Sequence, residues 1–389
     1  LGPADGCPSE LACGWPSAND THQLTPPGPV ISKPMAVAFE LARRGAAVQV
    51  LDDRMPGMGA TQASAGMLAP YNEIDEEGAH LELTVRGLRL FDEFMGRLRE
   101  DSRLDVQYHR TGTLTLAFSD ESYRRLGNLV QLMRGRGVSA ELLDVPAVRR
   151  EEPAVAPTVV GGLLIPSHGF VAAGEFTRAL VSAARQHGVR FRVAPRAREI
   201  RQLGDSVMVS NGNETFSAGY VVNAAGAWAG QVRLAGAEVV PVMPVRGQLL
   251  HLHARGTNLR RVTWGDRCYL VPWDDGSLLV GATSERVGFD EHTTVGGMRD
   301  LLSGLASTVV ADWPAAVAGV RAGLRPGTPD DLPIIGPSAV APRVLYATGH
   351  YRNGILLAPI TAQLVAETLL DQQVDAILQV TNPARFGAL

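Results

Sequence analysis

The chain has 389 residues, 45% hydrophobic and 20% charged, with a formal net charge of −4 and a pI near 6.2. Such a length exceeds one ordinary core and points to about two domains. The acidic balance excludes the clustered positive charge that nucleic acid or an anionic membrane surface demands, and no run of about 18 uncharged apolar residues suggests a spanning helix. A cytoplasmic protein without nucleic-acid or membrane partners is expected. Cys7, Cys13 and Cys268 give neither a disulfide framework nor a C-x-x-C spacing, and H-E-x-x-H is absent, so no metal is expected.

Residues 1 to 34 hold seven of the 25 prolines and show neither alternation nor helical period, which argues against a core strand. Residues 1–31 are therefore set apart as atypical, disordered or non-native. Order is expected from Ser32, an N-cap ahead of "PMAVAFELARRG", whose Ala36, Phe39, Leu41 and Ala42 make an apolar face. The helix stops at Gly45. The run "AAVQVLDDR" then reads as a buried parallel strand ending in Asp52 and Asp53. Helix, glycine turn, strand and terminal acid form the second half of a dinucleotide-binding βαβ unit, although an acid there also suits a solvated turn.

Amphipathic helices follow at Leu83 to Leu98 and Glu121 to Arg134. Strand-like alternation marks "GTLTLAF", "VMPVRGQLLHLH", "RCYLVPW" and "SLLVGAT". "YVVNAAGAWAG" and "VLYATGH" read as further apolar strands; the small residues after the first permit close approach of either a ligand or a packed helix. The pattern is that of an antiparallel sheet interleaved with an α/β domain. Segments 32–83, 158–236 and 324–375 are expected to form the α/β part, and 84–157 with 237–323 the other.

"ATQASAGMLAP", "VVNAAGAWAG", "CYLVP", "AGLRPGTPDDLPIIGP" and "GHYRNGILLAPIT" occur in the order and spacing of the D-amino-acid-oxidase (DAO) superfamily of flavoproteins. From about Met35 to Asp371 the chain resembles that superfamily, most of all its glycine oxidase (ThiO) branch. The resemblance implies an α/β (mixed α+β) architecture: a Rossmann-like FAD-binding domain of the glutathione-reductase type with a mixed-sheet substrate domain. FAD would be non-covalent, since the cysteine that attaches it in sarcosine-oxidase relatives has no counterpart near "GLRPGT". Cys268 is read as a small packed group.

Carried over by position, Asp52 and Asp53 would hold the adenosine ribose. Ala60, Thr61, Ala65, Gly66 and Met67 would wrap the pyrophosphate and flavin side, and Arg196 would contact adenine through its backbone, its side chain mattering little. His350, Tyr351, Arg352, Asn353, Gly354, Ile355 and Leu356 would line the flavin, with a helix beginning near Asn353 turning its positive end towards the ring. Arg325 and Arg352, with Tyr269, would bind the substrate carboxylate, the fork of Arg325 taking both oxygens. Local pattern alone would leave Arg325 on the surface. Asp330 and Asp331 are read as solvated loop acids. The implied reaction oxidises glycine or another small amino acid or amine, with O2 as electron acceptor. The thiazole step of thiamine synthesis and a homotetramer are implied alongside.

One stretch departs from the family pattern. Where the family has an apolar strand and G-x-G-x-x-G, this chain reads "LTPPGPVISKPMAVAFELARRG", which keeps only Gly28 between prolines. Proline supplies no N–H to a phosphate. A truncated or frame-altered N-terminus, with no strand for the sheet centre and weakened FAD binding, is the expectation; a catalytically impaired remnant or binding scaffold is the alternative reading.

Overall fold

The computed structural model describes residues 30–31, 35–72, 78–254, 256, 259–310 and 315–389. Two large sheets dominate the described residues. One is six-stranded, in the order Ile334–Pro337, Val344–Thr348, Val221–Asn223, Val30–Ile31, Gln49–Asp52, Arg190–Val193, and is parallel except for its first strand. The other is eight-stranded, running Ala316–Gly327, Met243–His253, Ser277–Gly281, Tyr269–Pro272, Val262–Trp264, Thr113–Ala117, Gly161–Ile165, Glu141–Leu143, with one parallel pairing between Val262–Trp264 and Thr113–Ala117. The expected mixed architecture is present. No helix among the described residues is long and apolar enough to cross a membrane.

The sheet centre corrects the expectation for the N-terminus. Val30–Ile31 pairs in parallel with both Val221–Asn223 and Gln49–Asp52, so a strand does occupy the middle position. Two residues are too few to show a period, which is why the sequence hides it. Gly28 and the other residues before Val30 lie outside the described residues, as do residues 32–34 with Ser32.

From Met35 to Ala42 the first helix is buried on every side, not along one face. It packs against the helices Ala173–Gln186 and Ala358–Ala366, and Phe39 meets Phe94 edge-on at 5.8 Å. Burying Phe39 alone contributes about 2–3 kcal/mol. Glu40 is tolerated there because Arg43 donates to it at 2.8 Å. The amphipathic segments become Ala79–Ser102 and Asp120–Gly135, the second begun by a Ser119–Ser122 capping box. Gly161–Ile165, which the segment boundaries give to the α/β part, pairs instead with Thr113–Ala117 in the eight-stranded sheet.

Candidate functional site

A cavity of about 430 Å³ is walled by residues of both large sheets. Its first wall is the C-terminal edge of the parallel sheet, where open α/β sheets leave a crevice for ligands. Asp52 ends its strand there, the first helical turn presents Met35, Ala36 and Val37, and the short helix Ala60–Ala63 follows. The first N–H groups of a helix have no intrahelical partner and favour an anion. Gly66, at φ +68, closes this wall: its carbonyl accepts from Val171 N–H at 2.9 Å, and a Cβ built on it would lie 1.8 Å from the Val171 oxygen.

The second wall depends on strand register. Gly247 stands opposite Gly323 and Val245 opposite Arg325, while Gly281 stands opposite Tyr269 on one side and Leu249 on the other. Residues opposite one another in a ladder share a face, so Arg325, Tyr269 and the three glycines all belong to one face. A Cβ on Gly247 would fall 2.2 Å from the Arg325 guanidinium, and one on Gly281 would strike the Tyr269 ring. Both side chains thus lie flat over a floor of glycine. Arg325 Nη1 donates to the Thr283 carbonyl at 3.0 Å, and among the described residues it makes no ion pair.

Arg352 and His350 reach the same cavity through a turn pinned to the Arg325 strand, where Tyr351 N–H donates to the Pro326 carbonyl at 3.0 Å. The Arg352 guanidinium lies 5.0 Å from the Tyr351 ring centre. His350 Nε2 is 2.9 Å from Thr361 Oγ1, and loss of solvent pushes its pKa down to about 4, so the ring is neutral at neutral pH.

Of the residues singled out from sequence, Asp52, Ala60, Thr61, Ala65, Gly66, Met67, Tyr269, Arg325, His350, Tyr351, Arg352, Asn353, Gly354 and Ile355 line this one cavity. Leu356 does not; it is 1% exposed and packs in the core. The helix expected from Asn353 begins at Ala358. Residues 353–357 form a turn instead, with Leu357 N–H donating to Asn353 O at 2.8 Å, and Pro359 suits the first helical turn because it needs no donor there.

Asp53 and Arg196 line an adjoining smaller recess with Asp52. Contrary to expectation the Arg196 side chain is engaged: it donates to Asp53 Oδ2 at 2.5 and 3.0 Å, and to Gln231 at 3.0 Å. Its guanidinium is 4.8 Å from the Trp228 ring centre, and Arg54 is 4.7 Å from the same ring. Asp330 lies in an exposed turn, as read, and pairs there with Arg385 at 2.7 Å. Cys268 is 5% exposed and beside Thr308, as read. Sequence reasoning missed Gly247, Gly281, Gly323 and Thr283, whose positions carry no local signal; only the pairing register brings them into one wall with Arg325 and Tyr269.

Residues 35–368 match the family model described as DAO, FAD dependent oxidoreductase. The chain belongs to this family. It is 36% identical over 352 residues to a bifunctional ThiO/ThiG protein of Nostoc sp., covering 88% of this chain and 52% of that protein, and so spans about half its length. Similarity to a glycine oxidase of Bacillus licheniformis is 31% over 340 residues, 87% of this chain and 90% of the relative. The crystal structure of glycine oxidase from Geobacillus kaustophilus superposes with a TM-score of 0.86 at 30% identity, covering 92% of this chain and 98% of the other.

The residues present fit the FAD of this family. Asp52, the opening turn of the helix at Met35 and the small residues Ala60 to Gly66 supply a carboxylate, helix-end donors and close main-chain approach. A Cβ on Gly59 or Gly226, both in the cavity wall, would meet no protein atom within 4 Å, so the wall is open there to a ligand.

Proposed function

We propose that this family member oxidises glycine or a closely related small amino acid or amine, binding its carboxylate with Arg325. The carrying observation is the shared face: Arg325 and Tyr269 lie over glycines in a wall of the same cavity that holds Asp52 and the first helical turn. FAD, held non-covalently by Asp52 and the segment from Ala60 to Met67, supplies when bound a hydride acceptor at N5, with O2 as terminal electron acceptor and H2O2 as product.

The Arg325 fork takes the two carboxylate oxygens, Tyr269 offers its hydroxyl to the same group, and Arg352 adds a second positive charge from the turn. Neutral His350 adds none. Such orientation holds the substrate amine, in its neutral form, away from the guanidinia, and no catalytic base is required. The released imine hydrolyses to a 2-oxo acid and ammonia. Similarity to the ThiO/ThiG protein supports delivery of the imine, before hydrolysis, to a thiazole-forming partner.

Peroxide release from glycine, sarcosine and D-alanine, with and without added FAD, tests this reading. Peroxide from at least one, sharply reduced in kcat/KM by Arg325→Ala, is expected. Protein that carries FAD yet gives no peroxide from any of the three overturns it.

A further inference from the structure

Behind the Arg325 face, the eight-stranded sheet carries a polar network in which Arg246 and Gln248 are buried and the carboxylates half-exposed. Because side chains alternate along a strand, Arg246 and Gln248 project from the face opposite Gly247 and Arg325. Arg246, its side chain 4% exposed, donates to Glu285 Oε2 at 2.6 Å and to Asp290 Oδ2 at 2.5 Å. Gln248 Nε2 donates to Glu285 Oε1 at 2.7 Å and to Thr294 Oγ1 at 3.0 Å. Thr283 Oγ1 accepts from Gln248 N–H at 2.9 Å and donates to Glu285 Oε1 at 2.6 Å. Burial alone would raise the Glu285 carboxyl, but hydrogen bonds from Arg246, Thr283 and Gln248 outweigh it and hold the group below its ordinary range.

Thr283 joins the two faces. Its hydroxyl belongs to this network, and its carbonyl accepts from Arg325 Nη1 at 3.0 Å in the cavity wall. Resting on the assignment of Arg325 to the substrate carboxylate, we propose that Glu285 is a positioning residue: from the far face it fixes the Thr283 peptide, and thereby where the Arg325 guanidinium stands. Glu285 touches no substrate. Its effect passes through one residue, and a shift of the Thr283 carbonyl moves the anchor of Arg325 directly.

The test uses the FAD-loaded enzyme and acetate, a carboxylate without an oxidisable amine, as competitive probe. Glu285→Ala should raise the inhibition constant of acetate and the substrate KM together by about tenfold, with FAD affinity unchanged. Glu285→Gln keeps a carbonyl oxygen for the Thr283 hydroxyl and should recover most of that loss. In an Arg325→Ala background, Glu285→Ala should add nothing further. Thr283→Val, which removes the linking hydroxyl and with it the acceptor of Gln248 N–H, should follow Glu285→Ala and serves in its place should that variant not fold. Unchanged acetate inhibition in these variants, while Arg325→Ala weakens it, overturns the proposal and spares the role of Arg325. An equal further loss in the Arg325→Ala background also overturns it, because Glu285 would then act on the fold at large. Unchanged inhibition in Arg325→Ala itself removes the carboxylate assignment, and the proposal with it.

Discussion

Gly247→Ala separates substrate binding from folding. The added methyl carbon would stand 2.2 Å from Arg325 Nη2, 2.3 Å from Cζ and 2.5 Å from Nη1, and nothing else is among its nearest neighbours. Ordinary contact needs about 3.5–4.0 Å, so the guanidinium must retreat by roughly 1.5 Å. It is the end of a flexible chain and can do so, giving up the 3.0 Å bond to Thr283. Misplacing a binding group by about 1 Å costs on the order of 100-fold, or about 2.7 kcal/mol, in kcat/KM. The strand itself should tolerate alanine, which backbone entropy favours over glycine there by roughly 0.5–1 kcal/mol. Expected is a fall of about 100-fold in kcat/KM for peroxide release, carried mainly by KM, with flavin absorbance per protein and thermal midpoint near wild type. A kcat/KM within twofold of wild type would refute the claim that this glycine floor sets the position of Arg325.

Gly66→Ala should act on stability instead: φ +68 disfavours a side chain, and its Cβ would sit 1.8 Å from the Val171 oxygen, a backbone atom that cannot swing aside. A loss of about 2–4 kcal/mol is expected in denaturant titration, and a loss below about 0.5 kcal/mol would show that this wall yields easily. His168 is fully buried, accepts from Tyr71 N–H through Nε2 at 3.3 Å, and has its pKa pushed down by desolvation from 6.5 to about 3. The unfolded chain takes up that proton first, so stability is present above about pH 6.5 and is lost as pH falls towards 3; His168→Gln should flatten this part of the Tm–pH curve. Glu152, also fully buried, has its carboxyl raised by desolvation from 4.5 to about 7, against the pull of Arg260 N–H and Arg261. Its sign is opposite: the contribution is whole below about pH 4.5 and is lost as pH rises to 7, so Glu152→Gln should stabilise near pH 7 relative to pH 5. Difference curves parallel to wild type would contradict either assignment.

The sequence by itself determined the elements whose signals are local. The apolar run ending at Asp52, the periodic faces of Ala79–Ser102 and Asp120–Gly135, and the alternating strands were legible because burial imposes its period on neighbouring residues. The family motifs then led to most residues of the cavity wall. What only the tertiary structure decided depends on pairing between distant segments. The strand Val30–Ile31 is defined by its two neighbours, the start of the last long helix at Ala358 by the turn preceding it, and the engagement of Arg196 by Asp53 and Trp228. The floor of Gly247 and Gly281 exists only because register sets them beneath Arg325 and Tyr269. A ladder shifted by a single residue would turn those side chains to the other face, and no local stretch of sequence records which register is chosen.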